Sequence, residues 1–126
     1  MNTRRTILFL ALAVVFAATH YIATQGSFYW YFWWFDIIMH FWGGILLGLG
    51  VHVICSFSRV HVLPTTVVVL SVLAAATVTW ELFEWSFGLY LPEGYLIDTA
   101  TDIFLGFSGG LLTHQLLKTD TMGEQV

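Results

Sequence analysis

The sequence predicts an all-α, polytopic membrane protein, a four-helix bundle of transmembrane helices in one domain with both termini cytoplasmic. Three observations carry this expectation. The 126 residues are 58% hydrophobic and 10% charged, whereas a soluble domain is about 25% charged. So much apolar surface cannot be hidden inside so small a globule, and lipid has to cover it. Four segments are long and apolar enough to span a bilayer, which takes about 20 residues. Every Lys and Arg falls on one side of the topology that results.

The predicted spans cover residues 6–24, 34–56, 64–89 and 96–117. Arg4 and Arg5 precede the first, as they would in a signal peptide. The apolar run is nevertheless as long as a full span and no small-x-small cleavage site follows, so a retained helix is expected. Pro64 suits the first turn of the third span, where its missing N–H costs nothing. Leu91-Pro92-Glu93-Gly94 supplies turn residues before the fourth. The polar tail, 119–126, is expected to fray in the cytoplasm.

Arg4 and Arg5 lie before span one, Arg59 between spans two and three, and Lys118 after span four. The loops 25–33 and 90–95 contain neither Lys nor Arg. The positive-inside rule then makes the basic side cytoplasmic. Trp30, Trp33, Trp34, Trp42, Trp80 and Trp85 fall towards the other side and read as an interfacial belt with the upper part of the bundle. Four basic residues make no electrostatic footprint for nucleic acid. One cysteine, Cys55, excludes an internal disulfide and a cysteine-cage zinc site.

Ionisable residues within spans are costly and mark function by default. Span two carries Asp36 and His40, span three Glu81 and Glu84, span four Asp98 and Asp102. Each pair is spaced three or four apart and projects from one helix face. Counted from the outer boundary, Asp36, Glu84 and Asp98 form one layer. His40, Glu81 and Asp102 form a second, about 5 Å deeper, and His20 can join the rim. Five carboxylates together in low dielectric must be protonated, hydrogen-bonded or neutralised by a cation. Glu81, Glu84, Asp98, Asp102 and His40 form a ligand set for a divalent metal. Mg²⁺, Mn²⁺ or Ca²⁺ suits the oxygens, and the histidine also tolerates Zn²⁺. No organic cofactor is expected.

A plainer reading stands beside this one. Asp36 and Asp98 are near enough to the boundary to lie among headgroups or to act as helix N-terminal acids. For Glu81 and Asp102, a turn deeper, solvation is harder and a built site is the better reading. A proton-sharing network serves as well as a metal.

Spans two and four also share a pattern. Asp36, His40, Gly44, Gly48 and His52 are each offset by 62 residues from Asp98, Asp102, Gly106, Gly110 and His114. The pattern suggests two duplicated helical hairpins. Gly44-x-x-x-Gly48 and Gly106-x-x-x-Gly110 let helix backbones approach closely, which places spans two and four at the centre. His52 and His114 fall near the cytoplasmic end. They either sit there as interfacial residues, the plainer reading, or form a relay.

Asp36-x-x-x-His40-Phe-x-Gly, Trp80-Glu81-x-x-Glu84-Trp85 and Asp98-Thr99-x-x-Asp102-x-x-x-Gly106 resemble small bacterial membrane proteins of the YjdF type and, more distantly, VanZ-like proteins. The resemblance covers residues 36–110. It implies a multi-pass protein of the bacterial cytoplasmic (inner) membrane, concerned with the envelope. VanZ-like proteins are associated with low-level teicoplanin resistance. The present sequence departs from the VanZ pattern: Asp102 replaces Asn, Glu84 replaces Gln, and Ile37 stands where a basic residue often follows the first Asp. The site is therefore more acidic, which strengthens the case for a cation and weakens transfer of the resistance phenotype.

Three functions compete. A metal-dependent hydrolase would turn a metal-activated water on a lipid-linked phosphate in the outer leaflet, with His40 and Asp36 as catalytic residues and Asp36 orienting His40. A proton or ion transporter would use His52 and His114 as a relay, and four spans enclose so little volume that a homodimer is then expected. A non-catalytic VanZ-like protein would use the cluster only to lock its helices. Membrane lipid is the partner common to all three.

Overall fold

The computed structural model describes residues 2–89 and 92–123, the segment 120–123 by its backbone alone. Among the described residues the chain is all-helical: α1 (Thr3–Gln25), α2 (Phe28–Tyr31), α3 (Trp33–Cys55), α4 (Thr66–Phe87) and α5 (Tyr95–Gly123). Helices α1, α3 and α4 are each long and apolar enough to cross a membrane. Helix α5 is longer still, at 29 residues, but carries Asp98 and Asp102 near its start.

The helix ends follow local chemistry. Asn2 caps α1, its side-chain oxygen accepting from the Arg5 N–H at 3.2 Å. Thr65 caps α4 by accepting from the Val68 N–H at 3.3 Å. Pro64 therefore lies one residue before the cap rather than in the first turn, because the Thr65 hydroxyl supplies the capping bond that Pro64 cannot. Gly88 closes α4 in the left-handed region, at φ 65°. Leu89 N–H then donates to the Glu84 carbonyl at 2.9 Å, satisfying a carbonyl the helix leaves open. Two further departures concern the connections. The segment expected as a plain loop between the first two spans contains the turn α2. The expected fraying tail is helical as far as Gly123, and its remainder, 124–126, lies outside the described residues, as does Leu91 of the expected turn.

Helix α3 is the centre of the molecule. It packs most extensively on α5, and α4 lies against both. Helix α1 packs along α3, and at its start the Arg5 guanidinium donates to the Leu117 carbonyl of α5 at 3.4 Å. One apolar cluster joins Ala23, Phe35 and Met39, with Phe16 and Trp42 packed against it. Trp42 stacks edge-on to Phe16, with centroids 5.6 Å apart, so it belongs to the α1–α3 contact. Trp30, Trp33 and Trp85 are exposed. A second cluster joins Val51, Val69 and Leu73, with Cys55 and Leu111 at its edge. Ile7, Leu10 and Val14 on α1 and Val67 and Val78 on α4 are exposed, a surface that suits lipid and not water.

Helices α3 and α5 meet backbone to backbone. A Cβ at Gly44 would collide with the Gly106 carbonyl, and one at Gly48 would fall 2.6 Å from the Gly110 carbonyl. The expected central packing of these helices is therefore present in this structure, but the repeat is not symmetric. A Cβ at Gly106 would make only ordinary contacts, 3.5 Å from Thr77 Cγ2 and 4.0 Å from the His40 carbonyl oxygen. On α5 the tight positions are Gly109, against the Phe41 carbonyl, and Gly110, whose Cβ would lie 2.6 Å from Leu73 Cδ2. Glycine spacing marks the seam but not which glycine supplies the space, because α4 also approaches α5 from one side.

This packing sorts the polar residues between two ends. At the acidic end are Asp36, His40, Glu81, Glu84 and Asp102. At the basic end Asn2 N–H donates to Ser56 Oγ at 3.4 Å, and Arg5 reaches Leu117.

Candidate functional site

Asp102 is the hub of the acidic end. It lies on α5 and is 4% exposed. Helix α3 presents His40 to it, with Nε2 3.5 Å from Asp102 Oδ2. The same nitrogen lies 3.3 Å from Asp36 Oδ1. Helix α4 presents Glu81 and Glu84 from its other side. Two groups of potential ligand atoms result, Asp36–His40–Asp102 and Glu81–Glu84–Asp102, each with its atoms within 4.8 Å of one another. Asp102 is common to both.

The geometry revises the roles the spacing suggested. Asp36 and Asp102 approach one ring nitrogen of His40, and that nitrogen either donates to them or ligates a cation. Asp36 thus shares one nitrogen of His40 with Asp102, where its carboxylate can orient the ring or offer a potential ligand atom. Asp98 is exposed and outside both groups. It lies at the rim, where the headgroup reading of its position holds equally well. Asp36, His40, Glu81, Glu84 and Asp102 converge as their helical spacing implies.

Two supporting residues escaped the sequence reading. Thr99 Oγ1 donates to Glu81 Oε2 at 2.7 Å, fixing one carboxylate of the α4 pair from α5. The motif Asp98-Thr99-x-x-Asp102 contains this residue, but threonine in a membrane helix usually bonds its own backbone, as Thr77 and Thr101 do. Tyr29, on α2, shares a hydrogen bond of 2.7 Å with His20 Nδ1 and packs edge-on to Phe35 at 5.1 Å. Burial pushes its hydroxyl from 10.0 up to about 12, and the Asp36 and Glu84 carboxylates push in the same direction. That field ties Tyr29 and His20 to the rim of the acidic end.

His52 and His114 lie about 18 Å further along α3 and α5, from twelve residues of rise. His52 Nε2 and His114 Nδ1 are 2.9 Å apart, and His114 Nε2 lies 3.0 Å from Thr66 Oγ1 of α4. Both rings are buried between the helices. The glycine seam of α3 and α5 separates this pair from the acidic end.

A family model described as "Predicted membrane protein (DUF2238)" matches residues 2–120. The chain belongs to this family. YjdF-type proteins are members of DUF2238, so the resemblance seen in spans two to four extends over nearly the whole chain. No curated protein and no solved structure matches it. Membership in DUF2238 and the apolar helices together make this a membrane protein. The chemistry at its acidic end has to be argued from the side chains.

Proposed function

We propose that this DUF2238 protein holds a divalent cation between α3, α4 and α5, near the outer face of a bacterial cytoplasmic membrane, and hydrolyses a lipid-linked phosphate there. The observation that carries the reading is Asp102: a buried carboxylate, shared by two ligand groups, inside a membrane protein. A buried charge without compensation is strongly destabilising. Among the described residues His40 is the group within the cluster that can supply a positive charge, against Asp36, Glu81, Glu84 and Asp102. A cation held by Asp102, Glu81, Glu84, Asp36 and His40 balances them and matches hard-ion chemistry. Such an ion lowers the pKa of bound water and polarises a phosphoryl oxygen. Thr99 holds Glu81 in place, a support that in metal sites is worth a factor of about 10–100 in affinity.

The topology belongs to the same proposal. Helix α5 is the fourth span, its acids near the outer boundary and Lys118 at the inner one. The basic ends of α1, α3 and α5 coincide, which agrees with both termini being cytoplasmic.

The test is metal content and hydrolysis by protein purified in lipid nanodiscs. Wild-type protein should carry about one divalent ion per site and release phosphate from a polyprenyl or diacylglycerol phosphate. Asp102→Asn should lose the ion and the activity, and Asp98→Asn should keep both. Wild-type protein without stoichiometric metal favours the non-catalytic, VanZ-like reading. Metal without phosphate release removes the hydrolase and keeps the site.

A further inference from the structure

We infer that His52, His114 and Thr66 form a one-proton clasp: a buried proton-binding site that holds the basic ends of α3, α4 and α5 together and opens when both rings are charged. The inference is independent of any metal at the acidic end. It rests on three helices meeting through a single file of hydrogen bonds, with His52 Nε2 2.9 Å from His114 Nδ1 and His114 Nε2 3.0 Å from Thr66 Oγ1. The two rings are 6% and 1% exposed, so no water replaces a bond that is lost.

Proton counting defines the states. With both rings neutral, one ring donates across the N···N contact and the other accepts. Thr66 then completes the file, its hydroxyl donating to or accepting from His114 Nε2. One added proton is also accommodated. His114 then donates from Nδ1 to His52 and from Nε2 to Thr66 Oγ1. A second proton places an N–H on each side of the same short contact. Two like charges and two opposed donors cannot stay at 2.9 Å in a buried site, and the helices must part to admit water. Both protons come from water at the basic end and return to it.

The surrounding charges sharpen the response. Arg5 of α1 bears electrostatically on His52, and Lys118 of α5 on His114. Both are cations and oppose the second proton. Helix α4 brings Thr66 and no ionisable side chain before Glu81. On α3 the next ionisable group is Cys55, and Arg59 and His61 lie in the connection beyond it.

Cys55 provides the readout. It is the chain's one cysteine, lies three residues past His52, and packs at the edge of the Val51–Val69–Leu73 cluster. Its reaction with a dithiodipyridine is measured on wild-type protein in nanodiscs and normalised to the unfolded chain at each pH. Protection should fall at least about tenfold between about pH 7 and about pH 3.5. The His52→Gln/His114→Gln variant should show no such fall. Constant protection in the wild type overturns the clasp, as does an equal fall in the variant. Should the variant not fold, imidazole ¹⁵N spectra of the wild type decide. The two rings should protonate in steps more than about 1 pH unit apart, and a joint titration at one pH overturns the inference.

Discussion

Thr99 and Tyr29 show how single side chains set the acidic end. Thr99 spends its hydroxyl on Glu81 rather than on its own helix, so Thr99→Val should leave a carboxylate oxygen without its donor. We expect metal affinity to fall about tenfold or more, read by titration calorimetry, with the helical fold retained. Tyr29 titrates differently from an exposed tyrosine. Its hydroxyl is raised from 10.0 to about 12, so the folded state favours the neutral form. The stability this represents is complete below pH 10 and is lost as pH rises through about 12. Thermal unfolding of the wild type should therefore weaken across that window, and Tyr29→Phe should flatten the loss. An unchanged alkaline profile in Tyr29→Phe would remove Tyr29 from the buried rim. The acids and His40 were legible from the sequence because helical spacing and depth are properties of a single chain segment. Thr99 and Tyr29 were not, because their partners come from other elements.

At the scale of the element, the α3–α5 seam makes the sharpest prediction. Gly44 and Gly106 stand opposite each other, yet only the missing Cβ of Gly44 would collide with backbone, that of Gly106 lying 4.0 Å from the His40 carbonyl oxygen. Gly44→Ala should cost about 3 kcal/mol or more, at the upper end of overpacking costs. Gly106→Ala should cost less than about 1 kcal/mol, since its Cβ would make an ordinary contact with Thr77. Denaturation of the two variants in the same detergent compares them directly. Equal losses would mean that the seam is symmetric, as the 62-residue repeat on its own suggests. The repeat does place His40 on Asp102, Gly44 on Gly106, Gly48 on Gly110 and His52 on His114, in a parallel register that makes four of its five positions a working interface. It missed Gly109 because that residue lies off the four-residue spacing and is made small by the approach of Phe41.

For the whole molecule, charge asymmetry and packing agree. Asn2 with Ser56, and Arg5 with Leu117, bring the basic ends of three helices together. Reporter fusions at the N-terminus, in the connection 56–65 and after Lys118 should therefore all report the cytoplasm. Probes in the connection 92–94 should be labelled from outside. An N-terminus and a C-terminus on opposite faces would mean that α5 does not span, and would detach Asp102 from the proposed site.

The sequence by itself determined the helical class, the membrane setting and the stripe of acids, glycines and histidines. Each follows from composition or from a 3.6-residue period, and those need no partner to act. Only the tertiary structure decided that Asp102 is shared, that Asp98 is not, that Asp36 and Asp102 compete for one nitrogen of His40, and that His52 binds His114. These depend on which faces of three helices meet and at what distance. In this chain that was settled by the close approach of the α3 glycines to the α5 backbone and by the side from which α4 comes in.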